Sequence, residues 1–385
     1  MWVSRVLLGV VVMSLGLACG DTKEDSTPAD AAVVDARAQP DTGADAGDQP
    51  DASLPPVEGR VKGRVTTVDG KPLAGLTVRS GNDVAKTDEQ GRFSLEVREK
   101  DEARIAIDSD KYSSGATPVR VDAKSDANVE LAVLERKAVM VEDASKGGRS
   151  EGADGFAVDL PEKALRNEDG SEVKGKVEVR YALVNKSKDV TAAPGRMEAK
   201  GGALEGYGMA EVRFYKDGKE LKLVQKARFE IPLHADHGLT DGKEVGLFEL
   251  GKEDKRWREG TKGMVKNGKV VVESDKSDWV GAAKALPVDS CVSGRLTANM
   301  NAAKNTTIRA ARDRGLSLVQ AETAEDGSFC LPVTPNDDWR VSTYYDDGKD
   351  GLGLEVPVNS ADATGMCGGS GCKSVGDVDL PTLER

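Results

Sequence analysis

The sequence repeats itself, and the repeat limits the fold more than any other feature. VKGRVT at 61–66 returns as VSGRLT at 292–297, and TDEQGRFSLEV at 87–97 returns as TAEDGSFCLPV at 323–333. Each copy opens on a Gly-containing strand and later passes through an acidic-Gly turn into a strand bearing Phe93 or Phe329. Gly91 and Gly327 supply that turn, because a residue without Cβ can take the positive φ a tight hairpin needs. Two copies of one β unit therefore bracket a different middle.

The residues between the copies point the same way. Val177, Val179, Tyr181 and Leu183 alternate with Lys176, Glu178, Arg180 and Ala182, the period of a strand with one buried face. Glycine is abundant at 43 residues, and Asp69-Gly70, Asp169-Gly170, Asp217-Gly218 and Asp326-Gly327 punctuate short apolar runs. Long amphipathic helices are hard to find. The expectation is an all-β chain: several Ig-like or transthyretin-like β-sandwich domains in a row after a disordered tether.

GRVTTVDGKPLAGLTV and TDEQGRFSLEV resemble the carboxypeptidase regulatory-like domain, a small transthyretin-like sandwich. The resemblance covers 58–137 and, less fully, the second copy at 287–385. There NMNAAKNTTIRAA replaces the DGKPLAG element, and the assignment rests on the flanking strands. It implies no peptidase, since the zinc site of a carboxypeptidase lies in a separate catalytic domain and no HxxE occurs here. The middle, 138–286, runs through GFAVDLPEKAL, KVEVRYAL, MAEVRFYKDGKELKL and KARFEIPL, then VGLFELGKEDKRWREG, read as a strand, a charged turn and a strand ending near Trp257. This order resembles the paired β-sandwich modules of ankyrins, netrin receptors and cartilage intermediate layer protein, which implies a middle β-sandwich region of one domain or two small modules. The His-Phe-Ser step at which some of those relatives cut themselves is missing from the matching stretch, Ser274 to Trp279.

Ahead of the modules, Met1 to Ala18 carries Arg5 and then 13 uncharged residues, Val6 to Ala18, before Cys19. A bilayer-spanning helix takes about 20 residues, so 1–18 reads as a signal peptide. LGLAC resembles a bacterial lipoprotein signal, which implies lipidation of Cys19. The segment 19–57 is built from Ala, Asp, Pro, Gly, Thr and Gln without an aromatic residue. It holds nine acids against Lys23 and Arg37, most of the chain's net charge of −12. Such a stretch cannot bury enough to fold and is expected to act as an extended spacer.

Catalysis needs a poised acid, base, nucleophile or metal. The two histidines, His234 and His237, flank Asp236 in LHADHGL, a metal-clamping spacing only on a helical turn. Pro232 and Gly238 suggest a strand end and loop instead, and no third ligand can be placed. Asp346, Asp347, Asp350 and Glu355 gather in YYDDGKDGLGLE, but an EF-hand register from Asp346 puts Gly348 at the third position and Pro357 at the twelfth. No GxSxG elbow and no phosphate-binding glycine loop is present. No basic stripe with interleaved aromatics marks a nucleic-acid surface. No catalytic residue, metal ligand or cofactor is assigned.

Cys291, Cys330, Cys367 and Cys372 remain once Cys19 is set aside, an even number in the last module. In an oxidising compartment they imply two disulfides. If Val292, Leu296, Phe329 and Leu331 face the core, Cys291 and Cys330 face away from it. That favours a cross-strand Cys291–Cys330 bond, with Cys367 closing on Cys372; a four-Cys zinc site is the rival. The sequence thus predicts an exported lipoprotein, anchored to the bacterial outer membrane on an undetermined side, that displays β-sandwich modules for adhesion, envelope structure or protein scaffolding and performs no chemistry. Its partners would be the membrane, through the lipid, and an unidentified protein or glycan. The alternative is a glycan- or calcium-binding module, the former built on Trp257, Trp279, Trp339, Tyr344 and Tyr345; burial of all three tryptophans would favour the scaffold. An enzyme is a third reading.

Overall fold

The structure, a computed structural model, describes residues 57–199, 202–251, 256–348 and 351–381. The signal peptide, Cys19 and all of the tether but Val57 lie outside the described residues. The described residues belong to one compact unit, Leu54–Arg385. They are nearly all β, with one short 3-10 helix, Ser187–Ala192, among them.

The first module holds β1 (Gly59–Thr67), β2 (Thr77–Ser80), β3 (Asp83–Lys86), β4 (Arg92–Val97), β5 (Glu102–Asp108), β6 (Ala116–Arg120) and β7 (Ala127–Val133). They pair as two sheets, β4-β1-β7 and β3-β2-β5-β6. The alternation of RFSLEV shows why: β4 buries Phe93, Leu95 and Val97 and exposes Ser94 and Glu96. Those three residues meet Val61, Val78, Ile105, Ile107 and Leu131 in one core between the sheets.

The middle holds β8 (Lys137–Val141), β9 (Gly148–Glu151), β10 (Ala157–Leu160), β11 (Leu165–Arg166), β12 (Val177–Val184), β13 (Glu198–Ala199), β14 (Gly202–Lys216), β15 (Lys219–Glu220), β16 (Lys222–Leu223), β17 (Ala227–Pro232), β18 (Glu244–Leu250), β19 (Trp257–Lys266), β20 (Lys269–Ser274) and β21 (Trp279–Ala285). Apart from the small β11-β16 pair, these join one sheet running β8-β12-β14-β21-β18-β19-β20-β17-β10-β9. Its two ends come back together where Ser150 Oγ of β9 donates to the Met140 carbonyl of β8. A single core, from Val141 and Phe156 to Val272 and Val280, fills the space enclosed. Trp257 opens β19 rather than closing it. The charged run WREGTKGMVK hid this strand because five of its first six residues are exposed.

The third module holds β22 (Ser290–Ala298), β23 (Asn301–Ala302), β24 (Thr307–Arg312), β25 (Leu318–Glu322), β26 (Ser328–Val333), β27 (Asp338–Asp346), β28 (Gly351–Asn359) and β29 (Lys373–Asp379). Its topology is that of the first. The central strand, β1 or β22, runs antiparallel to β4 or β26 and parallel to β7 or β29, and β25-β24-β27-β28 matches β3-β2-β5-β6. The match extends to individual bonds. Val65 N donates to Gly91 O at 2.8 Å and Leu296 N to Gly327 O at 2.9 Å; Thr87 Oγ1 donates to Leu73 O at 2.7 Å and Thr323 Oγ1 to Ala303 O at 2.6 Å. Ala303 thus takes the place of Leu73, although the DGKPLAG element around it has been replaced.

The modules close on one another. On β12, Val177, Val179 and Tyr181 face the inner core, whereas Val184 joins a second core with Met197, Met209, Trp257 and Trp279 of the middle and Ala311, Leu316 and Leu318 of the third module. Both faces of that sheet are covered, which is why the simple alternation fails at Ala182, itself buried. The two copies also touch directly. Asn128 N donates to Asn305 O at 2.9 Å, Asp346 N to Asn128 Oδ1 at 3.0 Å and Gln320 Nε2 to Pro118 O at 3.1 Å.

Candidate functional site

The four cysteines come together, but not in the expected pairs. Cys291 bonds Cys372 and Cys330 bonds Cys367. The expected Cys291–Cys330 bond fails on register: Cys330 lies opposite Ser293 and Cys291 opposite Pro332, so the two cysteines are diagonal neighbours. Diagonal Cα atoms lie about 7–8 Å apart, beyond ordinary disulfide reach. Parallel pairing of β22 with β29 sets Val292 beside Lys373 and so brings Cys372 to Cys291, with Cα atoms 4.6 Å apart. The expected facing does hold for the core, since Val292, Leu296, Phe329 and Leu331 all enter it. Cys291 is nevertheless fully buried, and Cys367 is exposed. The two disulfides are neighbours, with Cys330 Sγ 3.8 Å from Cys372 Sγ.

The histidines sit at the end of β17, in a loop. His234 is buried, and each ring spends Nδ1 on a local amide: His234 accepts from Asp236 N at 3.1 Å and His237 from Leu239 N at 2.9 Å. Burial and the neighbouring His237 push the His234 pKa down, so it is held as the neutral ring. Among the described residues no further His, Cys, Asp or Glu completes a metal set with them.

The acidic cluster is pulled apart by its own hairpin. Asp346 pairs with Gly351 and Glu355 with Ser342, four residues along the ladder, or about 13 Å at strand rise. Glu355 turns to Arg340 at 3.6 Å, and Asp347 accepts from Asn299 Nδ2 at 2.9 Å. Asp350 lies outside the described residues. The aromatic platform is not formed either: Trp257, Trp279, Trp339 and Tyr344 are buried and Tyr345 is half-buried. Trp279 Nε1 donates to the Ser114 carbonyl of the first module at 3.2 Å, and Trp257 Nε1 to the Pro194 carbonyl at 3.0 Å. These rings hold the body together.

Two charged constellations were not visible in the sequence. One is a joint. Glu211 on β14, fully buried, accepts from Ser114 Oγ at 2.6 Å, from Arg136 Nη2 at 2.9 Å and from Arg213 Nε at 3.0 Å. Burial alone would raise its pKa, but Arg136 leads a set of partners that outweighs burial and holds it below the ordinary 4.5. The other is a cleft of about 500 Å³ between the first and middle modules, lined by Arg104, Arg196, Arg256, Arg258, Glu102 and Glu198. These residues come from β5, β13, β19 and the segments just before the last two, too scattered along the chain to form a motif.

No family model matches the chain, and no curated protein matches it. Solved structures that match include the TIE protein of Bacillus anthracis, at 12% identity over 85% of this chain and 51% of that one, with a TM-score of 0.19. The chain spans about half the length of that protein. The major pilin subunit of Bacillus cereus matches at 11% identity over 84% of this chain and all of that one, with a TM-score of 0.19. The full-length major pilin SpaD of Corynebacterium diphtheriae matches at 9% identity over 85% and 98%, with a TM-score of 0.17.

Proposed function

We propose that this chain is a non-enzymatic lipoprotein, attached to the membrane through Cys19, that holds a rigid β body away from the surface for adhesion, envelope structure or protein scaffolding. The observation that carries the reading is the fate of the tryptophans. Trp257, Trp279 and Trp339 are 3%, 0% and 0% exposed, and the first two serve the joints between modules instead of a binding face. A body cross-braced in this way suits presentation under load. The acidic segment ahead of Val57 would be the spacer, with a length on the order of 100 Å if extended at about 3 Å per residue.

The test is metabolic labelling with a palmitate analogue, combined with protease treatment of whole cells. Label carried by the wild type and lost on Cys19→Ala, with residues 57–381 recovered as one protease-resistant fragment, is the expected result. Label that survives Cys19→Ala, or a body cut readily between modules, would sink the reading.

A further inference from the structure

We propose that the cysteines of the third module are a reversible metal site: once reduced they take one Zn²⁺ ion on four thiolates, and reoxidation to the two disulfides expels it. This goes beyond display and does not depend on lipidation of Cys19. Both disulfides occupy one spot. The Sγ atoms of Cys291, Cys330 and Cys372 all lie within 4.8 Å of one another, and Cys367 is bonded to Cys330. Thiolates held about 2.3 Å from a tetrahedral Zn²⁺ stand about 3.8 Å apart, and Cys330 Sγ already lies 3.8 Å from Cys372 Sγ. Each bonded pair has to open to that same spacing, a shift of about 1 Å per sulfur, which rotation about χ1 supplies.

The third module has added this cluster to a fold that does not require it. The first module has the same topology without a cysteine, and Arg60 and Ser94 stand there at the places of Cys291 and Cys330. Its link from β6 to β7 is 121–126, whereas the link from β28 to β29 is 360–372 and carries CGGSGC. One disulfide would pin that longer link; the second gathers all four sulfurs. Cys367 and Cys372 enclose four residues, within the spacing of paired ligands in structural zinc sites, and Cys291 and Cys330 supply the other pair from adjacent strands. Gly368 and Gly371, at φ +90° and +97°, turn the link back on itself. Exposed Cys367 is where a reductant enters. An external dithiol gives two electrons and two protons to each disulfide and is itself oxidised to a disulfide; the thiols then release their protons as thiolates form on the ion. Thiolate sulfur selects Zn²⁺ over Ca²⁺ or Mg²⁺.

The purified full chain, reduced with a phosphine under nitrogen, would be titrated with Co²⁺, whose visible bands report tetrahedral thiolate ligation, and then with Zn²⁺. One tetrahedral Co²⁺ per reduced chain, displaced by Zn²⁺, is the expected result, with none on the oxidised chain. Zn²⁺ should also raise the melting temperature of the reduced chain. Cys291→Ser and Cys330→Ser should each weaken Zn²⁺ binding by more than the roughly 10–100-fold that follows loss of an outer-shell partner. The chain carrying Cys291→Ser, Cys330→Ser, Cys367→Ser and Cys372→Ser keeps Cys19 and is the blank. No Co²⁺ uptake, an octahedral spectrum, equal uptake by the oxidised chain or the blank, or melting unmoved by Zn²⁺ would overturn the assignment. So would uptake that Cys291→Ser and Cys330→Ser leave unchanged, because the CGGSGC pair alone would then hold the ion. None of these outcomes bears on palmitate labelling, so this assignment and the display reading fail separately.

Discussion

Gly91 and Gly327 show how a repeat is enforced one residue at a time. Their φ values are +75° and +81°, and a Cβ on either would lie 2.5 Å or 2.3 Å from the carbonyl oxygen of Val65 or Leu296. Gly70, at φ +80°, has nothing within 4 Å of the same position. Gly91→Ala and Gly327→Ala should therefore each cost about 2 kcal/mol or more, and Gly70→Ala only the backbone part, about 1 kcal/mol. Urea denaturation of the three variants checks this, and three equal losses would refute the steric account. Both turn glycines were legible because sequence repeats mark them. Glu211 was not, since a lone Glu in an alternating strand reads as solvent-facing until Arg136 and Ser114 are folded over it. Because its pKa is lowered in the fold, its ionised form adds stability above pH 4.5 that is lost as pH falls through the depressed value. Glu211→Gln should cost about 3 kcal/mol at neutral pH and less in acid. A loss that is the same at both pH values would contradict it.

At the scale of elements, strands that alternate were legible and a strand that does not alternate was not. RFSLEV in β4 was readable from its own residues. β19 was not, because Trp257 points into the second core while the next five residues are exposed. The disulfide pairing failed for a related reason. Facing can be read from one strand, but register belongs to two, and the parallel partner of β22 lies some 80 residues along the chain. Non-reducing peptide mapping should recover Cys291 with Cys372 and Cys330 with Cys367; a Cys291–Cys330 peptide from unreduced protein would overturn the register. Attack by an external thiol on exposed Cys367 would free the Cys330 thiolate 3.8 Å from Cys372. Limited reduction at alkaline pH should thus produce a Cys330–Cys372 species, visible by trapping with an alkylating agent, and Cys367→Ser, which leaves Cys330 as a free thiol, should form it without added reductant.

Over the whole molecule, the repeated strand pattern was legible and the way its copies pack was not. Two similar sandwiches around a different middle read as beads on a string, since nothing in a sequence says which polar faces meet. The joints use residues that look ordinary in isolation: Asn128, Gln320 and Arg309, the last donating through Nη2 to Thr117 Oγ1. The second core makes the consequence measurable, because its residues come from both the middle and third modules and Trp279 also bonds the first. Modules that share buried side chains cannot lose them one at a time, whereas modules joined only by linkers melt independently. Scanning calorimetry should therefore show one endotherm for the whole body. Trp279→Ala, which removes the fully buried ring and its bond to the Ser114 carbonyl, should cost about 3–5 kcal/mol and split that endotherm as the shared core fails. Separate transitions in the wild type would restore the string of independent beads. A single lowered transition in Trp279→Ala would mean that the polar contacts between the two copies are enough to couple them.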